Sequence, residues 1–347
     1  MSAARISGAD ERLSATVDES HRVLSATMER MRGARKDVQV ASRRIEGRVR
    51  RTPMMRPVGL DAVWLKCEFL QYCGVFKTRG AFNSQLAAIE TGEIQGSGIV
   101  VASGGNAGLA HAFAARELGV RATIFVPQTA PEVKVERIRG YGAEVGRVGI
   151  EYAEAYDAAV EFGVRTGAVV AHAYDQIEVA AGAGTLAEEV FEDEPSIDTI
   201  IVAVGGGGLY AGVAATALGR ARIVAVEPER CPTLNKAMAA GRPVDVDVSG
   251  VAADALGARR IGTLAFAAQQ AEPPVSILVS DDDIVNARAQ LWSEYRIASE
   301  TGAAAAYAAL GSSQYIPRAD ERVAVVISGA NTDPATLTQG TRTADFV

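Results

Sequence analysis

Cysteine, histidine and tryptophan are scarce in this chain, at three, three and two residues. Cys67, Cys73 and Cys231 are odd in number and widely spaced, which excludes a disulfide framework and reads as free thiols in a reducing cytosol. His21, His111 and His172 show no ligand spacing, so no structural zinc site is expected and no metal-binding residue is assigned. An excess of positive charge is lacking too: 35 basic residues stand against 42 acidic ones, a formal net charge of −7. With no basic block and no interleaved aromatic stripe, a nucleic-acid surface is excluded. Thr199 to Gly219 is free of charge and long enough to cross a bilayer. Its four consecutive glycines, and a mean hydropathy of +0.09 for the whole chain, fit a strand, a glycine loop and an Ala-rich helix better. The first stretch is polar throughout and does not read as a secretory signal. A cytoplasmic protein without a membrane partner is expected.

What the chain does have is length and a strong α/β pattern. Its 347 residues suffice for two ordinary domains with buried cores. The stretch to about Lys36 mixes Ser, Glu, Asp and Arg with isolated apolar residues. Leu24, Met28 and Met31 there suit a weak amphipathic helix packing on a neighbouring subunit, and a disordered leader suits the composition equally. From Val38 onward short apolar runs recur, as at Ile99–Val101, Ile124–Val126, Ile200–Val202, Val224–Val226 and Val323–Ile327. Unalternating runs of this kind are buried on both faces of a parallel sheet. Helical stretches such as Leu109–Leu118, Ala180–Phe191 and Asp283–Trp292 lie between them. The alternation implies doubly wound parallel sheets, whose ligands sit beyond the carboxyl ends of the strands.

Three loops of that kind stand out. Ser103-Gly104-Gly105-Asn106-Ala107-Gly108 follows the first run and precedes a helix. Adjacent glycines let backbone amides approach an anion at a helix start, although a tight turn alone explains the segment as well. Gly205-Gly206-Gly207-Gly208-Leu209 offers several amides to a phosphate and is not a P-loop, because no Lys-Ser/Thr pair follows. Gly206, Gly208 and Ala211, with Glu227 further on, also loosely satisfy a dinucleotide fingerprint, so a nicotinamide dehydrogenase is a rival on this segment. A non-catalytic ligand-binding module would keep the same glycines. Ser328-Gly329-Ala330-Asn331 puts a small hydroxyl at the end of the last run, where a ring nitrogen or a mere turn would account for it.

The fourth segment is Leu65-Lys66-Cys67-Glu68 leading to Gly74-Val75-Phe76-Lys77-Thr78-Arg79-Gly80-Ala81. It resembles the cofactor-lysine region of the serine/threonine dehydratase and serine racemase family, whose pattern is a Lys-Cys-Glu strand followed by Gly-Ser-Phe-Lys-x-Arg-Gly-Ala. The order of lysine, Ser-x-Gly-Asn loop, glycine tetrad and Ser-Gly-x-Asn is also that family's. The resemblance runs from Val38 to Asn331 and takes in Arg51-Thr52-Pro53, Tyr141-Gly142-Ala143 and Glu300-Thr301-Gly302.

That resemblance implies two doubly wound, mostly parallel-sheet domains of the fold-type II pyridoxal-phosphate kind, similar to tryptophan synthase beta. It divides the chain into an extension over 1–36, a large cofactor domain of 37–97 plus 174–347, and a small domain over 98–173. It implies a homodimer and pyridoxal 5'-phosphate as cofactor. Lys77 would hold the cofactor as a Schiff base and then serve as base on the substrate α-carbon, with Phe76 packing near the ring. Asn106 would meet the phenolic oxygen, and Ser103, Gly104, Gly105 and Asn106 the substrate carboxylate. Gly205, Gly206, Gly207, Gly208 and Leu209 would cradle the phosphate, and Ser328 would face the pyridine nitrogen. The implied activity is a deaminating dehydratase (ammonia-lyase) of a serine- or threonine-like amino acid, giving a 2-oxo acid and ammonia. An amino-acid racemase or another lyase on the same fold is the alternative.

Some residues depart from the pattern. Val75 stands where Ser is common, Ala107 where His is frequent and Ala183 where Gln is usual. Relatives that bind a divalent ion use a Glu and an Asp; here Glu227 is present but Thr233 replaces the Asp, so that ion is not expected. A serine at position 104 is the racemase branch's second proton donor, and Gly104 has no side chain to offer. The chain's end soon after Asn331 leads to the expectation that isoleucine does not inhibit.

Overall fold

The computed structural model describes residues 31 and 33–337. Leu24 and Met28 lie outside them. Met31 lies inside: it is buried beside Val38 and Ala41 of a helix (α1, 33–44) that runs through the change in composition at Lys36.

Two sheets organise the chain. The first has the order β1-β2-β10-β7-β8-β9, with β1 at Met54–Met55, β2 at Val63–Lys66, β7 at Thr199–Ala203, β8 at Arg222–Pro228, β9 at Val275–Val279 and β10 at Val323–Val326. All neighbours are parallel except β1, which pairs antiparallel with β2. The second sheet has the order β5-β4-β3-β6, all parallel, from β3 (Ile99–Ala102), β4 (Ala122–Val126), β5 (Glu144–Arg147) and β6 (Val169–Ala171).

Helices cover both faces of each sheet, as unalternating apolar strands require. In the larger sheet Ile200, Val202, Ala225, Ala324 and Val326 point to one side, against α6 (Ile177–Asp193), α7 (Gly208–Ala217) and α10 (Thr263–Ala271). Their chain neighbours Ile201, Ala203, Val224, Val323 and Val325 point to the other, against α11 (Asp281–Tyr295) and α12 (Thr301–Gly311). The alternation is the strand period of two. In the smaller sheet Ile99, Val101, Ile124 and Val126 pack under α3 (Asn106–Leu118) and α4 (Glu132–Arg139), while Val100 and Ala102 face α5 (Tyr152–Thr166). The uncharged stretch Thr199–Gly219 is thus β7, the glycine loop and α7, and no described helix is long and apolar enough to cross a membrane.

One helix has a polar anchor. α2 (Lys77–Glu90) carries Arg79 into a site buried below β2, where Nε and Nη2 donate to the two oxygens of Glu68, both at 2.8 Å. Nη1 reaches Glu189 at 2.7 Å and Thr185 at 3.1 Å, and Lys66 donates to Glu189 at 2.5 Å. Two cations and two carboxylates balance in the interior, so none is left unpaired. Arg79 lies two residues past Lys77, so this cluster holds the first turn of α2 in place.

Candidate active site

The strand ends bring the four sequence segments together. Val75 forms an antiparallel bridge with Gly329, and the amide of Phe76 donates to the carbonyl of Ser328 at 3.0 Å. The segment before Lys77 is therefore strapped to the loop after β10. Lys77 opens α2, and its amine donates to the carbonyl of Ala173 at 3.2 Å, in the loop after β6. A narrow cavity is shared by Phe76, Lys77, Ala107, Tyr174, Gly208 and Leu209, with His111 behind. Ser328 is buried beside it, and its hydroxyl makes no hydrogen bond to another described residue.

The glycine loop is shaped by crowding. Gly207 has φ +92°, a left-handed value that favours glycine, and a Cβ there would fall 2.4 Å from that of Ala265. A Cβ on Gly206 would enter the ring of Tyr174, at 2.5 Å. The carbonyl of Gly205 accepts from the Thr233 hydroxyl at 2.6 Å, and that of Gly206 from the Gly262 amide at 3.0 Å. With these carbonyls turned into the protein, the first amides of α7 stand at a helix N-terminus suited to an anion.

Asn106 opens α3, and its amide nitrogen donates to both oxygens of Glu300 at 2.9 Å, while its oxygen accepts from Asn331 at 2.7 Å. Asn331 in turn accepts from Arg137 at 2.8 Å. Gly104, Gly105, Asn106, Arg137, Glu300 and Asn331 line a second recess next to the lysine cavity. The Ser103 hydroxyl is turned back on its own loop, accepting from the Gly105 amide at 3.3 Å.

Burial sets the electrostatics. Loss of water brings the Lys77 amine down to about 8, with the Glu300 carboxylate opposing. Burial pushes Glu300 up to about 7, against hydrogen bonds from Asn106 and the Asn331 backbone. His111 is pushed down to about 3 by burial and by Lys77, so it stays neutral. The site thus keeps a lysine that is partly neutral near physiological pH.

Glu227 lies elsewhere. It is buried, pushed up to about 7 by that burial, and accepts from Thr233 and from the amides of Leu234 and Asn235, so it caps α8 (Thr233–Ala240). A carboxylate engaged this way is not free for a ribose, which removes the acidic half of the dinucleotide fingerprint.

Sequence reasoning named Lys77, Asn106, the glycine tetrad and Ser328, but gave no role to Tyr174, His111, Arg137, Glu300 or Asn331. Glu300 and Asn331 lie in segments already quoted for the resemblance, and Tyr174 follows a strand, so position was the available signal. His111 lies four residues after Ala107, on the same helix face.

The geometry brings a desolvated lysine and a glycine loop at a helix start to one cavity, at the carboxyl ends of parallel strands. A family model described as "Pyridoxal-phosphate dependent enzyme" matches residues 45–329. An L-threonine ammonia-lyase of Geobacter sulfurreducens is 34% identical over 310 residues, spanning 86% of this chain and 76% of that protein. Maize serine racemase superposes with a TM-score of 0.81 at 31% identity, over 88% of this chain and 95% of the other. The processed form of threonine deaminase isoform 2 from Solanum lycopersicum gives 0.82 at 26% identity, over 91% and 94%. The chain belongs to the pyridoxal-phosphate dependent enzymes, and pyridoxal phosphate is its cofactor. The residues present fit that group: a half-buried lysine of lowered basicity, helix-start amides, and the hydroxyl of the buried residue Ser328, which makes no hydrogen bond to another described residue.

Proposed function

We propose that this protein is an ammonia-lyase that removes water and then ammonia from a small hydroxy amino acid, leaving a 2-oxo acid. The observation that carries the reading is Lys77, whose desolvated amine opens α2 in a cavity bounded by the glycine loop and the Asn106 helix. Bound pyridoxal phosphate supplies an electron sink for the pair left when the Cα–H bond breaks. Lys77 holds the cofactor and takes the Cα proton, which needs a neutral amine. Phe76 packs beside the ring, and the Gly205–Leu209 amides bind the phosphate. Asn106 orients the phenolic oxygen, and the Ser103–Asn106 loop holds the substrate carboxylate. Ser328 meets the pyridine nitrogen with a neutral hydroxyl. A hydroxyl leaves that nitrogen less cationic than a carboxylate partner would, so elimination is favoured over a long-lived carbanion.

Similarity to a serine racemase supports a second reading, but position 104 has no side chain to deliver a proton to the opposite face. We assign the elimination. A small domain over 98–173 inserted in a larger one is supported by the second sheet, which draws only on β3 to β6. A cytoplasmic homodimer completes the proposal, supported by the three free thiols for the compartment and testable by ultracentrifugation for the dimer. The direct test is to incubate the purified protein with pyridoxal phosphate, reduce with borohydride and map the label. It should fall on Lys77, and Lys77→Ala should lose both the visible band and the release of 2-oxo acid and ammonia. A variant that binds and reacts like the parent would sink the assignment.

A further inference from the structure

The recess beside Asn106 holds a cation that the lyase reading leaves without work. α4 carries three cations. Arg139 pairs with Glu132 and Glu136, at 2.9 and 2.7 Å, and Lys134 pairs with Asp254. Arg137 makes no ion pair among the described residues; it reaches over the recess to donate to the oxygen of Asn331 at 2.8 Å. A guanidinium has five N–H donors in a flat fork, so one bond to a neutral amide leaves an edge open. The acidic groups nearby are already engaged. Asp254 is held by Lys134, and Glu300 accepts two bonds from Asn106 and lies in the range where it is partly protonated. A fork with free N–H groups, on the wall of a substrate recess, matches a carboxylate in two-point geometry. Serine and threonine side chains carry no second carboxylate to meet it in that geometry.

We propose that Arg137 selects a hydroxy amino acid whose side chain ends in a second carboxylate, of the 3-hydroxyaspartate class. This rests on the lyase reading and deepens it. The balance needs no oxidant. The Cα proton and the Cβ hydroxyl leave as water, and the resulting enamine tautomerises to an imine. Water then adds to that imine and ammonia departs, so 3-hydroxyaspartate yields oxaloacetate and ammonia. Arg137 takes no part in these steps. It reads the distal carboxylate, while the Ser103–Asn106 loop takes the one on Cα.

The experiment compares kcat/KM of the cofactor-loaded protein for L-serine, L-threonine and 3-hydroxyaspartate, following 2-oxo acid and ammonia together. The dicarboxylate should be preferred. In Arg137→Met the ratio of its kcat/KM to that of serine should fall roughly 10- to 100-fold, the range for a lost charge-assisted hydrogen bond. Arg137→Lys should recover part of the ratio, since it restores charge without the fork. A ratio that does not move, or an equal loss on all three substrates, overturns the proposal; the latter would place Arg137 on the α-carboxylate. Release of ammonia from none of the three would refute the lyase reading instead. Binding of succinate by calorimetry then still tests Arg137, because succinate should bind the parent more tightly than the Met variant, and equal binding counts against the proposal.

Discussion

A lysine amine that has lost its water is a worse base and, at neutral pH, a better nucleophile, and Lys77 is placed to use the difference. Its value of about 8 lies below the ordinary lysine value of 10.5, because burial disfavours the charged form. Under the proposed role of Lys77, cofactor capture needs the neutral amine, and the sign follows. The rate at which apo-protein takes up pyridoxal phosphate should rise roughly fivefold from pH 7 to pH 8 and less than twofold from pH 8 to pH 9, as a group titrating near 8 requires. An ordinary lysine would give a tenfold rise at each step, and that result in stopped-flow absorbance would refute the lowered value. Gly104 gives the second residue-scale prediction. It does not adopt a left-handed φ, contrary to a turn residue that needs unusual angles. A Cβ there would meet Ala130 and Val126 at 3.6 Å, ordinary contact. Gly104→Ser should therefore fold normally and, if the absent hydroxyl is what prevents proton return, convert some L-serine to D-serine. Efficient D-serine formation by the parent would contradict the elimination.

At the scale of elements, what could be read from the sequence depended on how plainly burial is written in composition. β3, β4, β7, β8 and β10 are continuous apolar runs because each is covered on both faces, and the runs identify them. β5 reads Glu-Val-Gly-Arg at a sheet edge and gives no such signal. α2 is harder still, because it buries Thr78, Arg79, Asn83, Ser84 and Gln85, which composition assigns to a surface. These residues are inside because tertiary partners satisfy them, and partners at 106 and 110 residues' separation are invisible to a local pattern. The same reason hid Arg137, Glu300 and Asn331, whose joint meaning exists only once α4, α12 and the loop after β10 converge. The buried cluster has a measurable consequence. Arg79→Met would leave Glu68 fully buried without its cation and should destabilise the protein by about 3–5 kcal/mol in urea denaturation. Adding Glu68→Met should restore part of the loss, since the unpaired carboxylate goes with it. No gain in the double variant would mean that packing, not charge, dominates there.

The whole molecule joins two sheets whose strand ends face each other across the site. Between them α2 packs against α3, where Phe82 and Phe113 meet edge to face with centroids 6.0 Å apart. Polar ties also cross near the site: Lys77 to Ala173, Asn106 to Glu300, Arg137 to Asn331 and Lys134 to Asp254. Contacts of this sort open at little cost compared with a core, so the α2–α3 contact should act as the fixed edge and the site as the opening one. A cofactor that touches the lysine, the glycine loop and the Asn106 helix at once bridges the two sheets, and at 100 times its Kd it would stabilise the closed arrangement by about 2.7 kcal/mol. Hydrogen exchange should then slow on cofactor loading in 103–109 as well as in 205–209, by up to roughly 100-fold for amides that exchange only through opening. Amides of 200–202, inside the central strand, should respond only through global unfolding. Lys77→Ala should show little of the protection. Slowing confined to 205–209 would mean that the phosphate loop binds alone and that the smaller sheet is not drawn in, whereas protection on both sides of the cleft follows if the lysine, the asparagine helix and the glycine loop act on one bound molecule.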